Sequence, residues 1–325
     1  MSLVPIYFVD AFTTNGNSAF TGNPAAVCFL DYDDDISDDM KQKIAAEINL
    51  SETAFVSQGW TKDHKLMTAE GSQLYRRTLR WFTPTNEVQL CGHATVASTK
   101  ALMEAELTDK YLDPATKNVT VNFESKNRGK LGAAVSKDNG RITLNFPSNP
   151  THKLNKSEHP WIDEMIVTTL GERVSPEFVE DVQYSPGTKI LLVRLSDGLT
   201  HAELRQVSPD FKKLLRIDTG DFVHDIIVTV KGVSPSEGED AGPNFYSRFF
   251  APWDGVDEDS VTGVAHTVLT PYWTQEFSKK ESREIGILFA RQHSTRGGNL
   301  YCTLLGDRVN LAGEARVVIK GQMFV

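Results

Sequence analysis

Arg80-Trp81-Phe82-Thr83-Pro84, leading on to Leu90-Cys91-Gly92-His93-Ala94-Thr95, returns in weaker form near the other end of the chain. There the sequence reads Arg248-Phe249-Phe250-Ala251-Pro252, leading on to Val261-Thr262-Gly263-Val264-Ala265-His266. Each copy has an arginine, two aromatics, a small residue and a proline, then a polar loop, then a glycine opening an apolar Ala/Val-rich run. The offset is 168 residues between the arginines and 171 between the glycines. A shared offset of half the chain predicts two related halves, each built round a strand, a loop and a glycine-led helix. Two such helices with their N-termini aimed at one place would make an anion site between the halves.

The flanking sequence supports this pattern. Residues 4–12 and 25–30 are rich in β-branched and aromatic residues and read as strands on either side of a Gly/Asn-rich turn. Ser37 is an expected N-cap, and Met40, Ile44 and Ile48 give the following helix an apolar face that ends near Asn49. The acidic run from Asp31 to Asp39 reads as a solvated loop and helix start. Residues 78–83 read as a strand and 92–106 as a helix with so little polar surface that it should be buried, wrapped by strands. Strands follow at 118–124, 131–136 and 140–146, then a proline-rich crossing segment over 147–160. In the second half we expect helices near 160–171, at 208–216 with Pro209 in its first position, and at 261–277. Strands are expected near 188–195, 222–230 and 245–250, with three or four more to the C-terminus. Strands are many and short, and few are followed by a helix. That order disfavours a Rossmann sheet and predicts α+β with antiparallel sheets, as two domains over 1–118 and 119–312.

Composition narrows the function classes. The 325 residues are 40% hydrophobic and 24% charged, which is ordinary for a globular protein. A net charge of -9 argues against a broad nucleic-acid or anionic-membrane surface. No apolar run reaches a membrane span, and the N-terminus enters a strand directly, so neither a signal peptide nor a transit peptide is expected. Three widely spaced cysteines, Cys28, Cys91 and Cys302, make no disulfide framework, and a cytoplasmic setting is expected.

The candidates for chemistry cluster at the two glycine-led helix starts. The first N–H groups of a helix lack partners and sit at the positive end of the dipole, so Gly92 could seat a carboxylate or enolate. Cys91 in that field is either an acid/base or a small buried residue. His93 is either a proton carrier or a capping or core histidine. In the second copy Thr262 and Gly263 offer a similar start, Asp259 is a cap or a partner-orienting acid, Glu258 reads as a surface charge, and His266 reads as a core histidine. Glu52, in the segment Leu50-Ser51-Glu52-Thr53 between a helix end and a strand start, is the lone acid of an apolar stretch. Desolvation there would raise its pKa towards a useful range, against the alternative of a capping or salt-bridged glutamate. No zinc-ligand spacing, phosphate-binding loop or nucleophile elbow is present.

The phrases VDAFT, F-x-GNPAAVC (Phe20 to Cys28), NLSETAFV (Asn49 to Val56), LRWFTP-x-x-EV-x-LCGHAT (Leu79 to Thr95) and FAPW-x-GV-x-ED-x-VTG-x-AH (Phe250 to His266) resemble the phenazine-biosynthesis-like (PhzF) family, above all its animal branch. The resemblance spans nearly the whole chain. It implies a diaminopimelate-epimerase-like fold of two similar domains, each a β-barrel-like sheet round a central helix, with the active site in the cleft between them. It also implies that the last strand, about 313–325, returns to the first domain. By the same resemblance Glu52 is the catalytic acid/base of a cofactor-independent isomerase acting on a small carboxylate-bearing metabolite. Ser51, His93 and Asp259 would assist, and the amides of Gly92, Gly263 and Val264 would bind the carboxylate, with Cys91 and Asn23 also facing substrate. A homodimer is implied too. The family usually reads Asp-Pro-x-Thr-Gly-Ser where this chain has Ser260 and Val264 in place of Pro and Ser. A lost hydroxyl removes a hydrogen bond worth about 0.5 to 1.5 kcal/mol. Two other readings stay open: a binding or scaffold protein with reduced catalysis, and an epimerase pairing Cys91 with Glu52. A two-thiol racemase is disfavoured because no cysteine lies in the 259–264 segment.

Overall fold

The computed structural model describes residues 3–15, 19–62, 64–65, 74–106, 118–126 and 129–325. Part of the Gly/Asn-rich turn, residues 16–18, lies outside them. The chain divides into two compact units, Met1–Asn145 with Ala312–Val325, and Phe146–Leu311.

The first unit contains β1 (Leu3–Ala11), β2 (Asn23–Leu30), α1 (Asp38–Ile48), β3 (Glu52–Ser57), β4 (Gly59–Thr61), β5 (His64–Lys65), β6 (Leu74–Phe82), β7 (Glu87–Val88), α2 (Gly92–Ala105), β8 (Asn118–Ser125), β9 (Gly129–Ser136) and β10 (Ile142–Pro147). The second contains β11 (His152–Lys153), α3 (Ile162–Leu170), β12 (Val179–Ser185), β13 (Ile190–Leu195), α4 (His201–Leu204), α5 (Phe211–Ile217), β14 (Asp225–Lys231), β15 (Phe245–Phe250), α6 (Gly263–Glu281), β16 (Ile287–Gln292), β17 (Gly298–Leu305) and most of β18 (Arg308–Gly313); β10 and β18 each run two residues past the limit of their unit. The last strand, β19 (Ala315–Phe324), pairs antiparallel with β1 in the first unit.

The repeat is real at the level of strand pairing. In the first unit β1–β2 is antiparallel, β2–β3 parallel, β3–β6 antiparallel, β6–β8 parallel and β8–β9 antiparallel. In the second, β12–β13, β13–β14, β14–β15, β15–β16 and β16–β17 repeat that alternation in the same order. The sheets are therefore mixed and not purely antiparallel, because each unit contains two crossovers that return a strand parallel to its neighbour. The unit boundary lies at 145/146 and not at the expected 118/119. The reason is that β8 hydrogen-bonds to β6, and β9 and β10 follow it strand by strand.

β13 is covered on both faces, which is why it reads as six consecutive buried residues. On one side of the first sheet, α1 packs Ile44 and Ala45 against Ile6, Cys28 and Phe55. Elsewhere in the unit, α2 touches β1, β2, β3, β9 and β19 and buries His93 to Thr99 without interruption. Its buried hydroxyls are satisfied by the helix itself: Thr95, Ser98 and Thr99 donate to carbonyls four residues back at 2.6, 2.7 and 2.8 Å. In the second unit α3 and α5 cover one face through Ile166, Leu170 and Leu214. The helix α6 contains Pro271, which cannot donate to the Thr267 carbonyl; the Asn149 amide takes that acceptor at 3.1 Å.

Three local expectations need correction. The buried face of α1 includes Lys41, 1% exposed, while Met40 is 37% exposed. Lys41 stays buried because its ammonium donates to the carbonyls of Asp33 at 2.6 Å and Ile36 at 2.9 Å. The acidic run is not simply solvated, since Asp33 is buried and accepts from Arg80 at 3.0 Å. The helix expected at 208–216 begins at Phe211 with Asp210 as its N-cap, so Pro209 precedes the cap; the short α4 was not foreseen. No helix among the described residues is long and apolar enough to cross a membrane.

Candidate active site

The Ser51–Glu52 pair sits where α1 ends and β3 begins. Asn49, in the left-handed region at φ 54°, closes α1 and turns the chain into the strand. At the neighbouring end of β2, Gly22 has φ +76°, and a Cβ there would stand 2.2 Å from the Ala11 carbonyl oxygen, so only glycine permits this corner. It delivers Asn23 into β2. The third contributor is the start of α2, where Cys91 is the N-cap and the first helical amide bonded within the helix is that of Thr95, at 3.1 Å from the Cys91 carbonyl. The amides of Gly92 to Ala94 precede it, at the positive end of the helix dipole.

These three elements converge on the His93 ring. Its Nε2 lies 2.9 Å from Glu52 Oε2 and 3.3 Å from Ser51 Oγ. On the other side, Nδ1 lies 3.3 Å from the Asn23 amide and 3.4 Å from Cys91 Sγ. The side chains of His93 and Glu52 are 9% and 16% exposed. Although Oε2 is close to the ring, it has no well-aligned donor, so we read the contact as charge pairing more than as a hydrogen bond.

Charge and burial set the protonation states. Burial pushes Glu52 up, as expected from sequence, but the His93 charge beside it, with the donors of Ser51 and Cys91, outweighs it, and the net shift is downward. The expected upward shift is therefore reversed, because a cation stands beside the desolvated carboxylate. For His93, burial pulls down while the Cys91 sulfur and the Glu52 carboxylate pull up, and the imidazole is held well above its ordinary value. Cys91 is pushed up by burial and by Glu52. At neutral pH Glu52 is thus ionised and Cys91 keeps its proton, while the Glu52 carboxylate favours the charged form of His93. Ligand atoms of Glu52, Cys91 and His93 lie within 4.8 Å of one another, close enough for a metal ion. Such an ion would have to displace the protons of both the imidazolium and the thiol.

In the second unit the repeat gives a different arrangement. Asp259 is not the cap of α6; Thr262 is, and Asp259 Oδ2 accepts its hydroxyl at 2.6 Å while Oδ1 accepts the Ser260 amide at 2.8 Å. Gln292, on β16, clamps this turn: its Nε2 donates to the Asp259 carbonyl and to Thr262 Oγ1, both at 3.0 Å, and its Oε1 accepts the Thr262 amide at 2.9 Å. Nothing in the sequence flagged Gln292, thirty positions from Thr262 along the chain. Ser294 adds a bond to the Ser260 carbonyl at 2.7 Å. Gly263 opens α6, and Val264, the counterpart of His93, is 42% exposed. His266 is a core residue, fully buried, 2.8 Å from the Thr262 carbonyl and pushed down to about 4 by burial. Of the expected site residues, Asn23, Ser51, Glu52, Cys91, Gly92 and His93 belong to the first unit, and Asp259, Gly263 and Val264 to the second.

The repeat also pairs its arginines alike. Arg80 makes a two-pronged contact with Glu87, both bonds 2.8 Å, and stacks over Phe82 at 5.1 Å. Arg248 does the same with Glu258, at 2.7 and 2.9 Å, over Phe250 at 4.9 Å. Glu258 is therefore not the free surface charge expected from sequence.

A family model described as phenazine biosynthesis-like protein matches residues 9–321. A phenazine biosynthesis-like domain-containing protein of Bos taurus is 41% identical over 323 residues, covering 98% of this chain and 99% of the relative. An uncharacterized isomerase of Halalkalibacterium halodurans is 37% identical over 325 residues, with both chains covered completely. Among solved structures, a PhzF-family protein of Enterococcus faecalis superposes with a TM-score of 0.72 at 29% identity over 100% of both chains. A predicted epimerase of Pseudomonas aeruginosa superposes at 0.61 and 13% identity over 99% of both, a likeness of fold alone. The fold is α+β and epimerase-like.

Proposed function

Because the chain belongs to the phenazine biosynthesis-like (PhzF) family, we propose that it is an isomerase that moves a proton between carbon atoms of a small carboxylate-bearing metabolite, with Glu52 as its single acid/base. One observation carries the reading: a half-buried glutamate held ionised 2.9 Å from a buried imidazole at the start of a helix. An ionised carboxylate can accept a proton from a C–H bond next to a carboxylate or carbonyl. The negative charge then moves onto the substrate oxygen, where the amides opening α2 favour it. Protonated Glu52 returns the proton to a second carbon, so the same group serves as base and then acid. His93, Ser51 and Asn23 orient the carboxylate. The amides of Gly263 and Val264, opening α6 beside the Asp259–Gln292 clamp, offer a substrate carboxylate the same kind of seat.

The test is proton exchange from a panel of amino acids and cyclic unsaturated carboxylic acids into deuterated water, followed by proton NMR. Glu52→Gln keeps the shape of the side chain and should reduce exchange by about 10²- to 10⁴-fold, the usual contribution of a general base. Undiminished exchange would remove Glu52 from the mechanism. Val264 favours a second reading, a binding protein with weakened catalysis, since an apolar side chain stands exposed at a substrate-seat position. On that reading a carboxylate raises the melting temperature while neither wild type nor Glu52→Gln exchanges protons.

A further inference from the structure

The duplicated fold contains a counterpart of Glu52 that the sequence did not single out. In the first unit Thr53 lies opposite Phe82, and in the second Ile226 lies opposite Phe250. Phe82 and Phe250 are the matching aromatics of the repeat, two residues beyond Arg80 and Arg248, so the residues before Thr53 and Ile226 correspond: Glu52 and Asp225. Each opens a strand parallel to its neighbour, Glu52 beside Ala25 and Asp225 beside Ile190.

What differs is the source of positive charge. Glu52 receives it from His93 on α2, but the matching position on α6 is Val264. Asp225 is nonetheless buried, at 7% exposure, and its Oδ1 is enclosed with no hydrogen-bond partner among the described residues. Around it stand His224, with Nδ1 3.7 Å from Asp225 Oδ2, and Asp254, whose Oδ1 is 3.6 Å from His224 Nε2. One ligand-capable atom from each of the three lies within 4.8 Å of the others.

We propose that His224, Asp225 and Asp254 form a binding site in the second unit for a divalent first-row transition cation, with zinc or manganese suited to the donor set. One imidazole with two carboxylates is a mixed nitrogen and oxygen set, unlike the thiolate sets that select copper(I) or the all-oxygen shells of magnesium and calcium. Bonds of roughly 2.1 Å in a tetrahedron place ligand atoms about 3.4 Å apart, against separations of up to 4.8 Å here, so a cation on one imidazole nitrogen would draw the carboxylates inwards. Access is open, since the side chains of His224 and Asp254 are 36% and 59% exposed, and water can complete the shell. The external ion would supply in this unit the positive charge that His93 supplies in the other.

Calorimetric titration of the full-length protein with zinc chloride tests this, with magnesium chloride as comparison. Zinc should bind with one site of this kind per chain, and more tightly than magnesium. His224→Gln and Asp254→Asn, at a half-buried and an exposed side chain whose loss should leave the fold intact, should each weaken it by about tenfold or more, and Asp225→Asn should abolish it. Cys91→Ser should leave it unchanged, and a cobalt-loaded sample should show no thiolate-to-metal band. Zinc should raise the melting temperature of wild type but not of Asp225→Asn. The proposal is overturned if wild type takes up no zinc, if His224→Gln and Asp254→Asn bind zinc as wild type does, or if the cobalt spectrum reports thiolate ligation. No zinc uptake together with a more stable Asp225→Asn would mean that a proton on Asp225 does the work instead.

Discussion

Glu52 and His93 would each be costly as lone buried charges, and each is tolerable because of the other. Two predictions follow from their opposite shifts. The folded pKa of His93 is raised, so its contribution to stability is full below the ordinary value of 6.5 and is lost as pH rises through the folded value. The folded pKa of Glu52 is lowered, so its contribution is present above the ordinary 4.5 and is lost as pH falls through the folded value. Urea midpoints should therefore decline on the alkaline side in wild type, and Glu52→Gln should flatten that decline. His93→Gln tests the same pair kinetically: without its cation, burial drives Glu52 upward, and the acid limb of the exchange rate should move to higher pH. An unmoved limb would mean that His93 does not set the state of Glu52. Cys91, a buried thiol with its proton held on, should be dispensable as a base, so Cys91→Ala should retain exchange within a few-fold by the same NMR assay.

At the scale of elements, Arg80 fastens the end of β6 to α1 and β7. It reaches Glu87 with two bonds, Asp33 at 3.0 Å and Asp38 at 2.5 Å, from a side chain only 1% exposed. Asp38 is held well below the ordinary carboxylate range chiefly by that guanidinium. Removing one partner of such a buried network leaves the rest unpaired, so Arg80→Ala should lower the free energy of unfolding by about 3–5 kcal/mol in urea titrations. The hydrogen bonds of Arg248 run instead to Glu258 and to backbone carbonyls, among them Val207 at 2.5 Å, with no second acid among the described residues. Arg248→Ala should cost less, because it strands one carboxylate that is 19% exposed. The two arginines occupy equivalent positions, and nothing in the pentapeptides that carry them distinguishes their cost.

At the scale of the whole chain, the first unit is completed only when β19 returns to pair with β1 along its full length, from Leu3 with Phe324 to Ala11 with Ala315. A chain ending at Ala312 would leave the edge of β1 unpaired and remove the β19 surface against α2. It should lose proton exchange and aggregate on refolding, as read by light scattering, even though no residue of the Glu52 cluster is removed.

The sequence by itself determined what is local or repeated. The Arg-aromatic-Pro repeat announced the duplication, Ser37 and Asn49 bounded α1, the apolar run after Gly92 announced a buried helix, and the five motifs carried the family. What only the tertiary structure decided is which distant side chains share a desolvated space. Burial of Glu52 was legible in its apolar flanks, but the direction of its shift depends on His93, which arrives from another element. Lys41 reads as a surface lysine until Asp33 and Ile36 turn their carbonyls towards it. Gln292 and Asp225 carry no local signature, since one is a clamp and the other a counterpart only through strand register. Propensity and periodicity act along the chain, whereas the charge a buried group carries is set by what packs against it across the chain.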